Sequence, residues 1–131
     1  MKWVSKGNKK KYSIKRFFKS FTYAFTGIKT AFKSEQNFLF DIVFALLTVI
    51  LGFILKLSLI EFAIVILAIG LVISLELINT SIEYTIDMAM PEIHPLAKAA
   101  KDISSGAVLV SAIMAFIVGL IIYLPKIIEL F

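Results

Sequence analysis

The chain has no cysteine among its 131 residues and one histidine, His94. The first absence excludes disulfides and thiolate metal sites, and the second excludes a multi-histidine zinc centre within one chain. No stretch matches G-x-x-x-x-G-K-[ST] or G-x-G-x-x-G, so the P-loop and Rossmann phosphate cradles are both missing. His-x-x-Glu-His and Gly-x-Ser-x-Gly are missing as well. Zinc-finger, RNP and helix-turn-helix patterns are lacking, and no nucleic-acid partner is expected. Proline occurs only at Pro91, Pro95 and Pro125, which leaves long segments without a helix breaker.

What is present is apolar. Hydrophobic residues make up 60% of the chain and its mean hydropathy is +0.93, whereas a soluble domain is about 45–50% apolar. The length allows a single domain spanning residues 1–131. Ile42–Leu55, Phe62–Leu75 and Ile103–Leu124 carry no charge. The last is long enough to cross a ~30 Å hydrocarbon core. The first two reach that length only by including polar residues at their ends. These patterns predict transmembrane helices over about 38–56, 61–90 and 101–124. Pro91 and Pro95 predict a loop over 91–97, and Pro125 is expected to end the third span. A secretory signal peptide is not expected, because the first long apolar run begins only at Ile42.

The net charge of +5 is unevenly placed, with ten of the fourteen Lys and Arg residues before position 34. Residues 1–10 are polar and basic. Over 10–34, Phe17, Phe18, Phe21, Phe25, Ile28 and Phe32 share an arc of about 100° on a helical wheel. Lys15, Arg16, Lys19, Lys29 and Lys33 lie on the other side. This predicts an amphipathic helix in the bilayer interface, its basic face toward anionic headgroups. With Lys98 and Lys101 in the second loop, the positive-inside rule predicts a cytoplasmic N-terminus and an external C-terminus.

The second span ends in Glu76-Leu-Ile-Asn79-Thr-Ser-Ile-Glu83-Tyr-Thr-Ile-Asp87. Positions 76, 79, 83 and 87 fall within about 80° of one helix face. Acids in a membrane segment are costly and mark functional sites. The topology gathers Glu35, Asp41, Glu83, Asp87, Lys101 and Asp102 near the cytoplasmic interface, with Glu76 roughly 10 Å deeper than Glu83. Carboxylates holding Mg²⁺ on a nucleotide's phosphates, with a lysine nearby, suffice for phosphoryl transfer. A carboxylate in apolar surroundings can take the proton of an attacking alcohol. Plainer readings exist for each residue. Glu83 and Asp87 can be interfacial acids paired with Lys98 or Lys101, and Asn79 an interhelical hydrogen-bonding residue. His94 fits a loop position, and Glu61 and Glu129 are expected in water. A proton or cation path and a non-catalytic assembly protein are the rivals from other classes. A path would need polar residues continuing toward the outer side, and between Phe62 and Glu76 there is only Ser74.

The acidic stretch resembles the E-x-x-N-[ST]-x-[IL]-E-x-x-x-D signature of the prokaryotic diacylglycerol kinase family. Ala100-Lys101-Asp102 with Ser105-Gly-Ala-Val-Leu resembles its second block, and Gly27-Ile-Lys-Thr-Ala-Phe-Lys-Ser-Glu35 its corner between surface helix and first span. The resemblance covers about residues 14–124. It implies an all-α integral membrane lipid kinase with a surface helix and three transmembrane helices, working as a homotrimer with shared sites. It further implies that Glu76 is the proton acceptor and that Glu35 and Glu83 hold the ATP-bound Mg²⁺. Arg16, Tyr23, Glu92, Ile93, His94, Lys101 and Asp102 match nucleotide-contacting positions. Arg16, Glu76 and Ser105 would meet the lipid, with Asn79 and Asp87 in support. One departure is Ala24, where the diacylglycerol-specific branch usually has serine. The Glu92-Ile-His94-Pro-Leu-Ala-Lys98 run looks more like the undecaprenol kinases of Gram-positive bacteria. Undecaprenol is thus the expected acceptor and diacylglycerol the alternative, in the plasma membrane.

Overall fold

The structure, a computed structural model, describes residues 13–131. The basic stretch 1–10 and the expected start of the surface helix at 10–12 lie outside the described residues. Four helices follow one another: α1 (Ile14–Ser34), α2 (Gln36–Ile54), α3 (Leu59–Ala89) and α4 (Pro95–Ile128). No strand occurs among the described residues. The last three helices are each long and apolar enough to cross a membrane, which bears out the all-α membrane class.

The breaks between helices have local causes. A single residue, Glu35, separates α1 from α2. It sits in extended backbone (φ −116°, ψ 111°) while its N–H donates to the Ala31 carbonyl at 2.9 Å. This corner carries Glu35, half-buried, toward α3. The α2 helix ends in a paired-hydrogen-bond turn. Leu57 N–H reaches back to the Gly52 carbonyl at 3.0 Å and Lys56 N–H to that of Phe53 at 3.2 Å, with Lys56 left-handed at φ 56°. That geometry is normally glycine's, and a side chain there costs about 1 kcal/mol. The turn stops α2 at Ile54, two residues before the sequence pattern suggests.

Ser58 then caps α3. Its hydroxyl accepts from Glu61 N–H at 3.2 Å, while the Glu61 carboxylate accepts from Ser58 N–H at 2.7 Å. Glu61 also pairs with Lys126 of α4 at 3.2 Å. So Glu61, expected simply in water, begins one helix and ties it to another. The α3–α4 loop is shorter than expected. His94 Nδ1 accepts from Leu96 N–H at 3.1 Å, and Pro95 supplies the first helical residue, where its missing N–H costs nothing. Hence α4 begins at Pro95 rather than near 101. It also runs on through Pro125 to Ile128, because a proline removes one backbone bond but its own carbonyl still accepts from Glu129 N–H at 3.1 Å.

The antiparallel α3 and α4 form the centre of the chain, and their interface changes character along its length. Toward the 55–58 turn it is apolar, with Leu57, Val65, Ile122 and Tyr123 buried together. Here α2 is held by the Tyr123 hydroxyl, which donates to the Thr48 carbonyl at 2.8 Å. Gly52 permits that approach, since a Cβ there would lie 2.9 Å from the Phe62 ring and 3.0 Å from the Tyr123 hydroxyl. Toward the 90–94 loop the buried groups are polar: Glu76, Thr80, Ser104 and Ser111. The α1 helix joins this end through Ala31 and Phe32, the latter edge-on to Phe38, which is 1% exposed. Phe17, Phe18, Phe21 and Phe25 stay exposed.

Candidate active site

Glu76 is the centre of the polar end. It lies mid-helix on α3 and is 9% exposed. Asp41 of α2 comes within hydrogen-bonding reach of its carboxyl, and Glu35 and Glu83 are close enough to act on it electrostatically. Four acids thus converge in two pairs, Glu35 with Asp41 from the α1–α2 corner and α2, and Glu76 with Glu83 from α3, the pairs lying far apart in the chain. One Asp41 oxygen, Oδ2, is buried without a hydrogen-bond partner. Ionised carboxylates only accept, so they cannot satisfy one another. A cluster of this kind calls for a donor or a cation.

The donor set suits a hard divalent ion. Mg²⁺ typically takes one or two carboxylates together with nucleotide phosphates and water, and Glu35 and Glu83, both near enough to act on Glu76, offer two such groups. Among the described residues, no three His, Cys, Asp or Glu side chains meet as a complete protein metal cage. The arrangement therefore fits an ion that arrives with phosphates rather than a structural metal.

Asn79 links the acids to α4. Its amide NH₂ donates to Glu83 Oε1 at 3.3 Å, and its carbonyl oxygen accepts from the Ser104 hydroxyl at 2.6 Å. One helical turn outward, Lys101 forms an ion pair and hydrogen bond with Asp87. The plainer readings of Asn79 and Asp87 are thus present as geometry: an interhelical hydrogen bond and an interfacial pair. Both contacts also hold α4 in register against the acidic face.

Beyond that pair, Asp87, Met90, Glu92, Ile93, His94, Lys98 and Lys101 line an open cleft of about 260 Å³. The structure thereby brings Glu92, Ile93, His94 and Lys101 to one place. Asp102 is turned to Lys98, with which it pairs along α4. Arg16 and Tyr23 are exposed on α1, and neither side chain makes a hydrogen bond or ion pair among the described residues. Ser105 is exposed too, whereas its neighbour Ser104 is buried. Within one chain these three are not brought to the Glu76 cluster.

Two residues of the cluster received no site role from the sequence. The sequence puts Asp41 near the cytoplasmic interface with Glu35 and Glu83, and nothing in its spacing marks it as the neighbour of the deeper Glu76. Ser104 differs from Ser105 only by the 100° step between successive helical residues, and a single sequence does not tell which serine faces α3. The need of a half-buried Asn79 for a partner is the one available signal.

A family model described as prokaryotic diacylglycerol kinase matches residues 22–123. An undecaprenol kinase from Bacillus subtilis is 49% identical over 113 residues, covering 86% of this chain and 92% of that protein. A diacylglycerol kinase from Helicobacter pylori strain J99 is 40% identical, covering 81% of this chain and 84% of that protein. The diacylglycerol kinase of Escherichia coli K12 is 33% identical, covering 78% and 84%.

Proposed function

The chain belongs to the prokaryotic diacylglycerol kinase family and is a membrane lipid kinase, and we propose that it transfers the γ-phosphoryl group of ATP to undecaprenol. The observation that carries the choice of acceptor is the 49% identity to the Bacillus subtilis undecaprenol kinase over most of both chains. Diacylglycerol is the second reading, favoured by the names of the more distant relatives.

In this reading the lipid hydroxyl comes to the buried Glu76. The Glu76 carboxylate takes the hydroxyl proton as the alcohol oxygen forms its bond to the γ-phosphorus. The bond from that phosphorus to the bridging oxygen breaks, and ADP leaves with the electron pair. Glu35 and Glu83 would hold a divalent ion, Mg²⁺, which when bound would neutralise charge on the nucleotide's phosphates. Lys101, held at the cleft by Asp87, offers its remaining N–H donors to phosphate oxygens. The cleft of Glu92, Ile93 and His94 takes the outer part of the nucleotide. Asn79 and Asp87 keep the acidic face and α4 in register.

Arg16, Tyr23 and Ser105 belong to the site through a neighbouring copy. Among the described residues only Ala31, Phe38, Leu57, Val65, Ile122 and Tyr123 are buried hydrophobics, and polar groups in a span need shielding from lipid. Further copies, three by resemblance to the family, supply that cover. The phenylalanine face of α1 lies in the interface as a surface helix. The concentration of Lys and Arg before position 34 puts the N-terminus, and with it the ATP side, in the cytoplasm of a plasma-membrane protein. Residues 1–131 then form one lipid-kinase domain.

The test offers purified protein in mixed micelles undecaprenol and diacylglycerol side by side with labelled ATP. Faster labelling of undecaprenol is expected. Much faster turnover of diacylglycerol overturns the choice of acceptor.

A further inference from the structure

Ser104 lies outside the residues assigned to the reaction, yet it is 8% exposed and its hydroxyl is 2.6 Å from Asn79 Oδ1. On its other side Asn79 gives Nδ2 to Glu83 at 3.3 Å. A line of hydrogen bonds therefore runs from α4, through α3, to a carboxylate of the acidic cluster.

The direction of that line is forced. An ionised Glu83 has only acceptor oxygens, so the Asn79 amide must turn its NH₂ toward it. The amide oxygen then faces Ser104 and needs a hydrogen from it. The hydroxyl also stands 2.9 Å from the Lys101 carbonyl, the usual back-bond of a serine inside a helix. One hydroxyl hydrogen cannot fully serve two acceptors. The shorter contact is to Asn79. If the hydrogen went to Lys101 instead, the Asn79 oxygen would face an oxygen without a hydrogen between them. The amide would then be free to flip, setting its own oxygen against Glu83.

We propose that Ser104 is a positioning residue that locks the Asn79 amide and, through it, orients the Glu83 carboxylate to grip the divalent ion. The proposal rests on the reading of Glu83 as a metal ligand. Ser104 does not touch lipid or nucleotide in this role. Its loss should weaken ion binding and leave the chemistry at Glu76 in place.

Two readouts test it. In the first, Mg²⁺ is titrated at saturating ATP and lipid for Ser104→Ala, Ser104→Thr and Glu83→Gln. Ser104→Ala should raise the Mg²⁺ concentration for half-maximal rate by about fivefold, the worth of one ordinary hydrogen bond. The rate at saturating Mg²⁺ should stay close to wild type. Ser104→Thr, which keeps the hydroxyl, should restore the wild-type Mg²⁺ curve. Alanine favours a helix more than serine does, so unfolding of α4 is not the expected cause of a defect. In the second, ¹⁵N-asparagine labelling lights three side-chain NH₂ groups, those of Asn8, Asn37 and Asn79. The Asn79 pair should shift and exchange faster in Ser104→Ala and recover in Ser104→Thr. An unchanged Mg²⁺ requirement in Ser104→Ala, beside a raised one in Glu83→Gln, overturns the proposal. A fall in maximal rate with no Mg²⁺ shift, or a Mg²⁺ shift that threonine does not rescue, overturns it as well. If Glu83→Gln itself leaves the Mg²⁺ curve unmoved, the metal reading has failed. The Asn79 signal then decides alone, and an unmoved pair in Ser104→Ala refutes the lock.

Discussion

Replacing Glu76 by glutamine should move activity and stability in opposite directions. The side chain keeps its shape, so the 9% exposed pocket on α3 needs no repacking. What changes is one oxygen for an NH₂. On the role proposed for Glu76 the reaction loses its proton acceptor, and loss of a general base costs roughly 10²–10⁴-fold in rate, or about 3–5 kcal/mol of barrier. The fold gains a donor facing Asp41, whose Oδ2 is buried without a partner. A hydrogen bond to a charged group contributes about 1.5–3 kcal/mol, and one repulsive neighbour is removed from the acids around position 76. Turnover is measured at saturating ATP, Mg²⁺ and lipid. Stability is measured by thermal unfolding of the same detergent preparation, and nucleotide affinity by equilibrium binding. Glu76→Gln should be nearly inactive, at least as stable as wild type, and able to bind ATP. Retention of more than about a tenth of wild-type turnover, against the range expected for a lost base, would refute the role of Glu76. A clear loss of stability would refute the picture of an acid cluster short of donors.

Glu35→Gln and Glu83→Gln should each raise the Mg²⁺ concentration needed at fixed ATP and weaken ATP binding; unchanged Mg²⁺ curves in both would place the ion elsewhere. Lys101→Ala should weaken ATP binding by removing a phosphate partner, read by nucleotide titration, and unaltered affinity would leave Lys101 only its pairing with Asp87. Mixing Arg16→Ala with Glu76→Gln chains should recover some activity on co-refolding in lipid. Arg16 does not reach the Glu76 cluster within one chain, so a hybrid interface can hold both wild-type residues; no recovery in tag-confirmed mixed oligomers would argue against a shared site. Gly52→Ala should destabilise the protein by about 1–3 kcal/mol, the usual cost of overpacking, because its Cβ would meet the Phe62 ring at 2.9 Å. Unchanged thermal stability would show that α2 is free to move outward there.

The membrane class, the three long helices and the acidic face of α3 could be read from residue order alone, because each depends on local physics. Apolar runs between charges set the spans, and the 3.6-residue repeat puts Glu76, Asn79, Glu83 and Asp87 on one side. The helix ends were less legible where a tertiary or capping contact decided them. His94 caps α4 through its ring nitrogen, Lys56 takes a glycine's backbone geometry, and Glu61 serves a cap and an ion pair at once. The approach of Asp41 to Glu76 depends on how α2 sits against α3, and the choice of Ser104 over Ser105 on the rotation of α4. A single sequence fixes which residues share a helix face. Which faces meet is decided by packing between elements far apart in the chain, at the Gly52–Tyr123 contact, the one-residue corner at Glu35 and the Asn79–Ser104 hydrogen bond.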